Sequence, residues 1–381
     1  MTATAEAAAR VARDWDPPAA FPLARFEGLP RDVGRAHGRT FGDRVLGSIR
    51  AHRRSIEQTG LAWSDALVWG QKGREYLEIL DRKLAEELVG MAEGAEVDPR
   101  EIFAINLRVA LTRVATAPKP VPEMAECTTG AATAAATADG HTLLAQNWDQ
   151  SSELQANLVV IEQRIPGQPA LLFVTEAGRM MLHGMNDSGV GIVGNSLACD
   201  RPTHPVKSVS SATARRRALR HTSVAAAHRT IMDTTHGTSG NHLLAGADGQ
   251  AFDIEAIPDD AFSLEPNEGV IVHSNHFLHP GAKAAVVDKH VKAHPSTIHR
   301  EARLREALEA RRGKLTIADI QDALKDHYGF PVAVCTHPHP NGRGGTGHTL
   351  ASTVMDLNDK RMLTAPGPAC LGTYTEYRFS A

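Results

Sequence analysis

The chain changes hydrophobic period at Cys127, and that change constrains its fold more than any other feature. Upstream, Leu77, Leu80, Leu84, Leu88 and Met91 step by three and four residues. Glu78, Arg82, Lys83 and Glu86 face away from this stripe, which is the pattern of an amphipathic helix. A second helix is predicted from Asp98-Pro99-Arg100-Glu101. Asp98 suits the N-cap, Pro99 the first helical position and Glu101 a capping box, while Ile102, Phe103, Ile105 and Val109 supply the buried side. After Cys127 the period drops to two and turn signals multiply. Asp139-Gly140 predicts a hairpin between strands at 129–138 and 141–149, and Asp248-Gly249 predicts another.

Between the two regimes lies Ala117-Pro118-Lys119-Pro120-Val121-Pro122. Alternate prolines cannot continue a helix and favour an extended connection. This stretch reads either as a plain domain boundary or as an exposed tether to a processing site just before Cys127. Further strands are expected at 157–165, 170–175, 180–184, 190–197, 270–274, 332–336, 349–356 and 362–364. Helices are expected at 212–232, 297–310 and 317–327. Arg215, Arg216, Arg217 and Arg220 are expected on a solvated face of the first of these. Many antiparallel strands with helices in blocks imply an α+β layered fold.

Composition narrows the function classes. In 381 residues, 41 Lys and Arg against 44 Asp and Glu give a formal charge of −3, which argues against a nucleic-acid partner. Four cysteines do not make a disulfide scaffold in a chain this long, so a reduced, cytoplasmic setting is expected. The first 18 residues carry no apolar run, and no stretch reaches the ~18 apolar residues of a membrane span.

Three constellations carry candidate chemistry. Cleavage before Cys127 would give one residue a thiol and a free α-amino group, a nucleophile with its own base. Gln146-Asn147-Trp148-Asp149 brings a carboxylate near it, although strict alternation puts Cys127 and Asp149 on opposite faces unless the hairpin is irregular. The competing reading is a buried structural cysteine. Asn275, between His273 and His276 at the end of an apolar strand, could aim its amide at an oxyanion or simply occupy a turn. Cys335-Thr336-His337-Pro338-His339, with His348 behind it, alternates metal-ligand types without a standard zinc spacing. Residues 341–345 form a glycine-rich run that reads as a loop, not a phosphate cradle.

Taken in order, these pieces resemble the acyl-coenzyme A:6-aminopenicillanic-acid acyltransferase family of self-processing N-terminal-nucleophile hydrolases. The likeness rests on Cys127-Thr128-Thr129, Gln146-Asn147-Trp148-Asp149, Thr175-Glu176-Ala177-Gly178, Gly184-Met185-Asn186, Asn195-Ser196-Leu197, His273-Ser274-Asn275-His276-Phe277 and Gly367-Pro368-Ala369-Cys370. It implies a four-layer αββα sandwich and cleavage between Glu126 and Cys127. The products would be a helical 1–126 chain and a catalytic 127–381 chain within one fold. It also implies Cys127 as nucleophile, Asp149 in support and Asn275 at the oxyanion. Asn147, Asn195, Thr129, His273 and His276 would be supporting or substrate-binding residues. Glu126 stands where the penicillin enzyme has glycine, which would ease backbone strain at the scissile bond.

The expected reaction is hydrolysis of a linear amide in an N-acylated amino acid, peptide or amine. Transfer from a coenzyme A thioester is the alternative within the family. No cofactor and no metal is implied for either. The competing classes are a metal hydrolase built on Cys335, His337 and His339, and a non-catalytic relic with an intact sheet.

Overall fold

The computed structural model describes residues 18–116, 126–204, 206, 210–339 and 347–381. The proline stretch at 117–122 and the glycine-rich run at 341–345 lie outside them. Strands are numbered in chain order. One sheet has eight, ordered β1 (Leu23–Glu27), β4 (Leu158–Arg164), β5 (Leu171–Glu176), β6 (His183–Asn186), β7 (Val190–Val193), β8 (Gly240–Gly246), β9 (Ala251–Ile257) and β10 (Asp260–Leu264). The other has six, ordered β11 (Val270–His273), β2 (Cys127–Ala132), β3 (Leu143–Ser151), β12 (Gly347–Asp356), β13 (Arg361–Pro366) and β14 (Thr375–Arg378). Within these sheets only the β1–β4 pair is parallel.

Side-chain alternation turns two sheets into four layers. On β4, Val159 and Ile161 join a core with Val45, Leu88 and Ile102 of the helices before Cys127 and with Leu219 and Val224. Leu158 and Val160 face the other way, against Ala131, Leu144, Leu350 and Met355 of the second sheet. That sheet's outer face carries Leu143, Ala145, Val272 and Val354, packed on Leu304 and Leu308 of helix Ser296–Glu309 and Ile320 of helix Ile317–Ala323. The order is helix, sheet, sheet, helix, the αββα sandwich that the resemblance implied.

Several elements differ from expectation for identifiable reasons. The stripe from Leu77 to Met91 spans two helices, Trp63–Leu80 and Arg82–Ala95. The chain turns at Asp81, whose carboxylate caps the second helix by accepting from Leu84 N at 3.2 Å. The stripe hides the break because Leu77 and Leu84 enter the same core. Helix Arg82–Ala95 also crosses helix Pro30–Thr40 at glycine-lined contacts. A Cβ on Gly34 would lie 1.9 Å from the Glu87 carbonyl oxygen, and one on Gly90 would lie 2.1 Å from that of Arg31.

The helix expected at 212–232 is likewise two, Ser211–Ala218 and Val224–Met232. The solvated-face reading of its arginines is wrong. Arg215 and Arg216 are buried. Arg216 grips Glu87 through bonds of 2.9 and 2.7 Å, and Arg215 donates to the Leu182 carbonyl at 2.6 Å. The helical layer covers this face, so charge that would be solvated on a lone helix is paired internally. The 332–336 segment is a series of turns, not a strand, and β10 and β14 are strands beyond those expected from the sequence pattern.

The hairpin after Cys127 is regular. Cys127 pairs with Trp148 and Ala132 with Leu143, leaving residues 133–142 as the connection. Gly130 faces Ala145, and the one irregularity on β3 lies across from it, at Thr349/Ala351 of β12.

Candidate active site

Cys127 opens β2, flanked by β3 on one side and by the end of β11 on the other. Its side chain points between the sheets beside Trp148 and is buried. The backbone around it is held on all sides. The Glu126 carbonyl accepts from Asp149 N at 2.9 Å. Cys127 N donates to Asn275 Oδ1 at 2.8 Å. The Cys127 carbonyl accepts from Ser274 Oγ at 3.1 Å and from Arg300 Nη1 at 2.7 Å.

Arg300 is the residue that sequence reasoning missed. It projects from helix Ser296–Glu309 and is fully buried. Besides the Cys127 carbonyl it reaches Thr128 Oγ1, Asn275 Oδ1 and the Glu126 carboxylate, each at 2.9 Å. Its position in a helix full of charges gives no sign of this role. Alternation explains the geometry: with Cys127 facing inward, Glu126 and Thr128 face outward, towards the helix that carries Arg300. Ser296 Oγ at 2.9 Å and His294 Nδ1 at 3.2 Å complete the grip on Glu126. Burial pushes the Glu126 carboxyl up, but Arg300, His294 and Ser296 outweigh it and bring it down to about 2.

The other expected residues fall into two groups. Asn275 is at the centre, with its amide orientation set by its partners: Oδ1 takes Cys127 N and Arg300, and Nδ2 donates to the Ser196 carbonyl at 2.9 Å. It therefore holds the Cys127 nitrogen, and its NH2 is engaged with backbone, not free for an oxyanion. Asn195 reaches the inner face of β2, donating from Nδ2 to Thr129 Oγ1 at 3.0 Å, and its Oδ1 is buried without a partner among the described residues.

Asp149 needs a correction. The regular register places its carboxylate on the face opposite the thiol, bonded to Thr349 Oγ1 at 2.6 Å and Thr336 Oγ1 at 2.9 Å. It meets the cysteine through its backbone N–H and its charge, not through a carboxylate–thiol contact. Asn147, on the same outer face, straps the carbonyls of Leu324 and Val334 at 2.9 and 2.8 Å. His273 bonds Glu255 Oε1 at 2.9 Å. Burial lowers its pKa, but Asp253 and Glu255 raise it to about 9, so it is a charged anchor. His276 bonds Thr297 Oγ1 at 3.0 Å and is driven by burial to about 3, so it is neutral.

Burial also drives the Cys127 thiol up to about 12. The Asp149 charge adds to this, and the Asp149 N–H with Arg300 and Arg215 opposes it. Burial raises Asp149 to about 7 against the pull of Arg300 and the two threonines. A cavity of about 670 Å³ opens at Glu126 and Asp149, lined also by Arg108, Arg113, Ser196 and His294. Burial lowers both arginines to about 10, so each stays cationic near neutral pH. Arg108 Nε is buried and without a partner among the described residues.

The family model described as acyl-coenzyme A:6-aminopenicillanic acid acyl-transferase matches residues 136–367. The acyl-coenzyme A:6-aminopenicillanic-acid-acyltransferase 40 kDa form of Emericella nidulans is 26% identical over 336 residues, 87% of this chain and 88% of that one. Among solved structures, a conjugated bile acid hydrolase from Clostridium perfringens aligns at TM-score 0.45 and 11% identity over 68% of this chain and 97% of that one. Penicillin V acylase from Agrobacterium tumefaciens aligns at 0.44 and 14% identity over 63% and 83%. With the family model spanning well over half its length, this chain belongs to the acyl-coenzyme A:6-aminopenicillanic acid acyl-transferase family.

Proposed function

We propose that the chain is a self-processing N-terminal-nucleophile enzyme that cleaves linear amides through a cysteinyl acyl-enzyme. One observation carries this reading: both sides of the Glu126–Cys127 peptide are held by groups suited to breaking it. The Asp149 N–H sits on the carbonyl oxygen that becomes an oxyanion, and Asn275 Oδ1 sits on the nitrogen that leaves. Cys127 Sγ attacks the Glu126 carbonyl carbon, the C–N bond breaks, and the thiol proton ends on the departing Cys127 nitrogen. Water hydrolyses the thioester, leaving a Glu126 carboxylate and a free α-amino group on Cys127. Arg300 holds the Cys127 carbonyl throughout.

An α-amino group has an ordinary pKa of about 7.7–8.0, against about 8.5 for a free thiol, so once cleavage relieves the burial that holds the Cys127 thiol at about 12 it can take the thiol proton near neutral pH. The sulfur then attacks the substrate carbonyl and the proton passes to the leaving amine. Water, or an amine in the transferase version, accepts the acyl group. In this processed state Asn275 orients the new amino group, and its NH2 with that of Asn195 is available for the oxyanion once Ser196 and Thr129 yield them. The cationic Arg108 and Arg113 at the cavity suit a carboxylate on the substrate, which favours N-acylated amino acids and peptides over N-acylated amines.

The test is processing. Freshly made protein should resolve into fragments of 126 and, by subtraction from 381, 255 residues, and Cys127→Ala should remain whole. An uncut wild-type chain that hydrolyses N-acyl amino acids, or a cut Cys127→Ala chain, would sink the reading.

A further inference from the structure

Four metal-ligating side chains converge at the edge of the cavity beside Glu126 and Asp149, where His337 also lines that cavity, and none of them has a step in the cysteine chemistry. His327 follows helix Ile317–Ala323, Cys335 and His337 lie in the turns after it, and Cys370 lies in the turn after β13. Their donor atoms all fall within 4.8 Å of one another. His327 Nε2 is 3.0 Å from His337 Nε2. His337 Nε2 is 3.5 Å from Cys335 Sγ and 3.3 Å from Cys370 Sγ. The four atoms thus form one compact cluster, with His337 Nε2 in contact with each of the other three, and both cysteines are unbridged.

We propose that His327, Cys335, His337 and Cys370 form a tetrahedral Cys2His2 zinc site with a structural role. Zinc bonds of about 2.3 Å to sulfur and about 2.0–2.1 Å to nitrogen at tetrahedral angles put neighbouring ligand atoms roughly 3.3–3.8 Å apart. The three contacts of His337 Nε2 lie within a few tenths of an ångström of these values, and the other pairs lie within 4.8 Å. Two thiolates with two imidazoles also match the ligand softness that selects zinc over calcium or magnesium. Four protein ligands leave no open position for water, which separates this site from a hydrolytic one.

The set differs from the one that sequence spacing offered. Cys335 and His337 belong to it, whereas His339 does not lie within the group, which is completed by His327, ten residues before His337, and by Cys370, 33 residues after it. Binding releases the two thiol protons to solvent and ties three segments together. Thr336, between two of the ligands, bonds the Asp149 carboxylate, so the ion would also fix the strand end beside Glu126. The inference does not depend on the cysteine reading: it survives whether or not the chain cuts itself.

The test uses the full chain, purified with reductant, exposed to zinc and desalted. Metal analysis should find about one zinc per chain, falling below about a tenth in Cys370→Ser and in His327→Ala, and staying near one in His339→Ala. Cobalt in place of zinc should show tetrahedral ligand-field bands and a thiolate-to-metal band that Cys370→Ser removes. If either variant misfolds, wild type alone still decides: a chromophoric chelator should release one zinc and lower the melting temperature. Less than about a tenth of a zinc per wild-type chain overturns the proposal, as does full retention in folded Cys370→Ser, loss in His339→Ala, or a Cys335–Cys370 disulfide in the zinc-exposed protein.

Discussion

The Glu126 carboxylate offers a quantitative test of how the residue before Cys127 is held. Its pKa falls from an ordinary 4.5 to about 2, even though burial alone would raise it. At 1.36 kcal/mol per pKa unit this drop corresponds to about 3 kcal/mol. The side chain is only 11% exposed, so solvent screening removes little of that. Because the folded pKa lies below the unfolded one, the contribution is complete above the unfolded value and is lost as pH falls towards the folded one. Linkage leaves roughly 2 kcal/mol at about pH 3.5 and almost none near pH 2. The experiment uses Cys127→Ala, with and without Glu126→Gln, and measures urea unfolding from about pH 7 to about pH 3.5. The Gln variant should be less stable by about 3 kcal/mol at neutral pH, and the gap should narrow by about 1 kcal/mol at the acid end. Comparing the two proteins cancels acid-sensitive groups that do not sense the Glu126 charge, such as Glu176. A gap below about 1 kcal/mol at neutral pH, or one that does not change with pH, would refute the view that Arg300 clamps this carboxylate.

Two further outcomes follow from the same geometry. Arg216→Met removes one partner of a buried pair and leaves Glu87 charged in the helical layer, so it should cost about 3–5 kcal/mol in urea unfolding, and a loss under 1 kcal/mol would disprove the burial argument. Arg108→Leu should raise KM for an N-acyl amino acid roughly ten- to a hundredfold while leaving an N-acyl amine nearly unaffected, as losing one charge-assisted bond implies, and equal effects on both would remove Arg108 from carboxylate recognition.

The sequence alone determined the features that depend on local periodicity and short-range chemistry. The switch from helix to strand at Cys127, the Asp98 N-cap, most strands of both sheets and the positions of Cys127 and Asn275 could be read from residue spacing or from motif order. Local pattern could not reveal which faces meet. The Leu77–Met91 stripe runs straight through a helix break because both halves enter one core, and an arginine-rich helix looks solvated until a second helix covers it. Parity along β3 settled that the Asp149 carboxylate turns away from the thiol, since a strand exchanges faces with each residue and only the register shows which residue pairs with which. Tertiary structure alone also brought Arg300 to the Glu126–Cys127 peptide, and Cys370 to Cys335 and His337. These groups lie up to about 170 residues apart, and no spacing rule reaches across such distances because chain reversal, not sequence order, sets their separation in space.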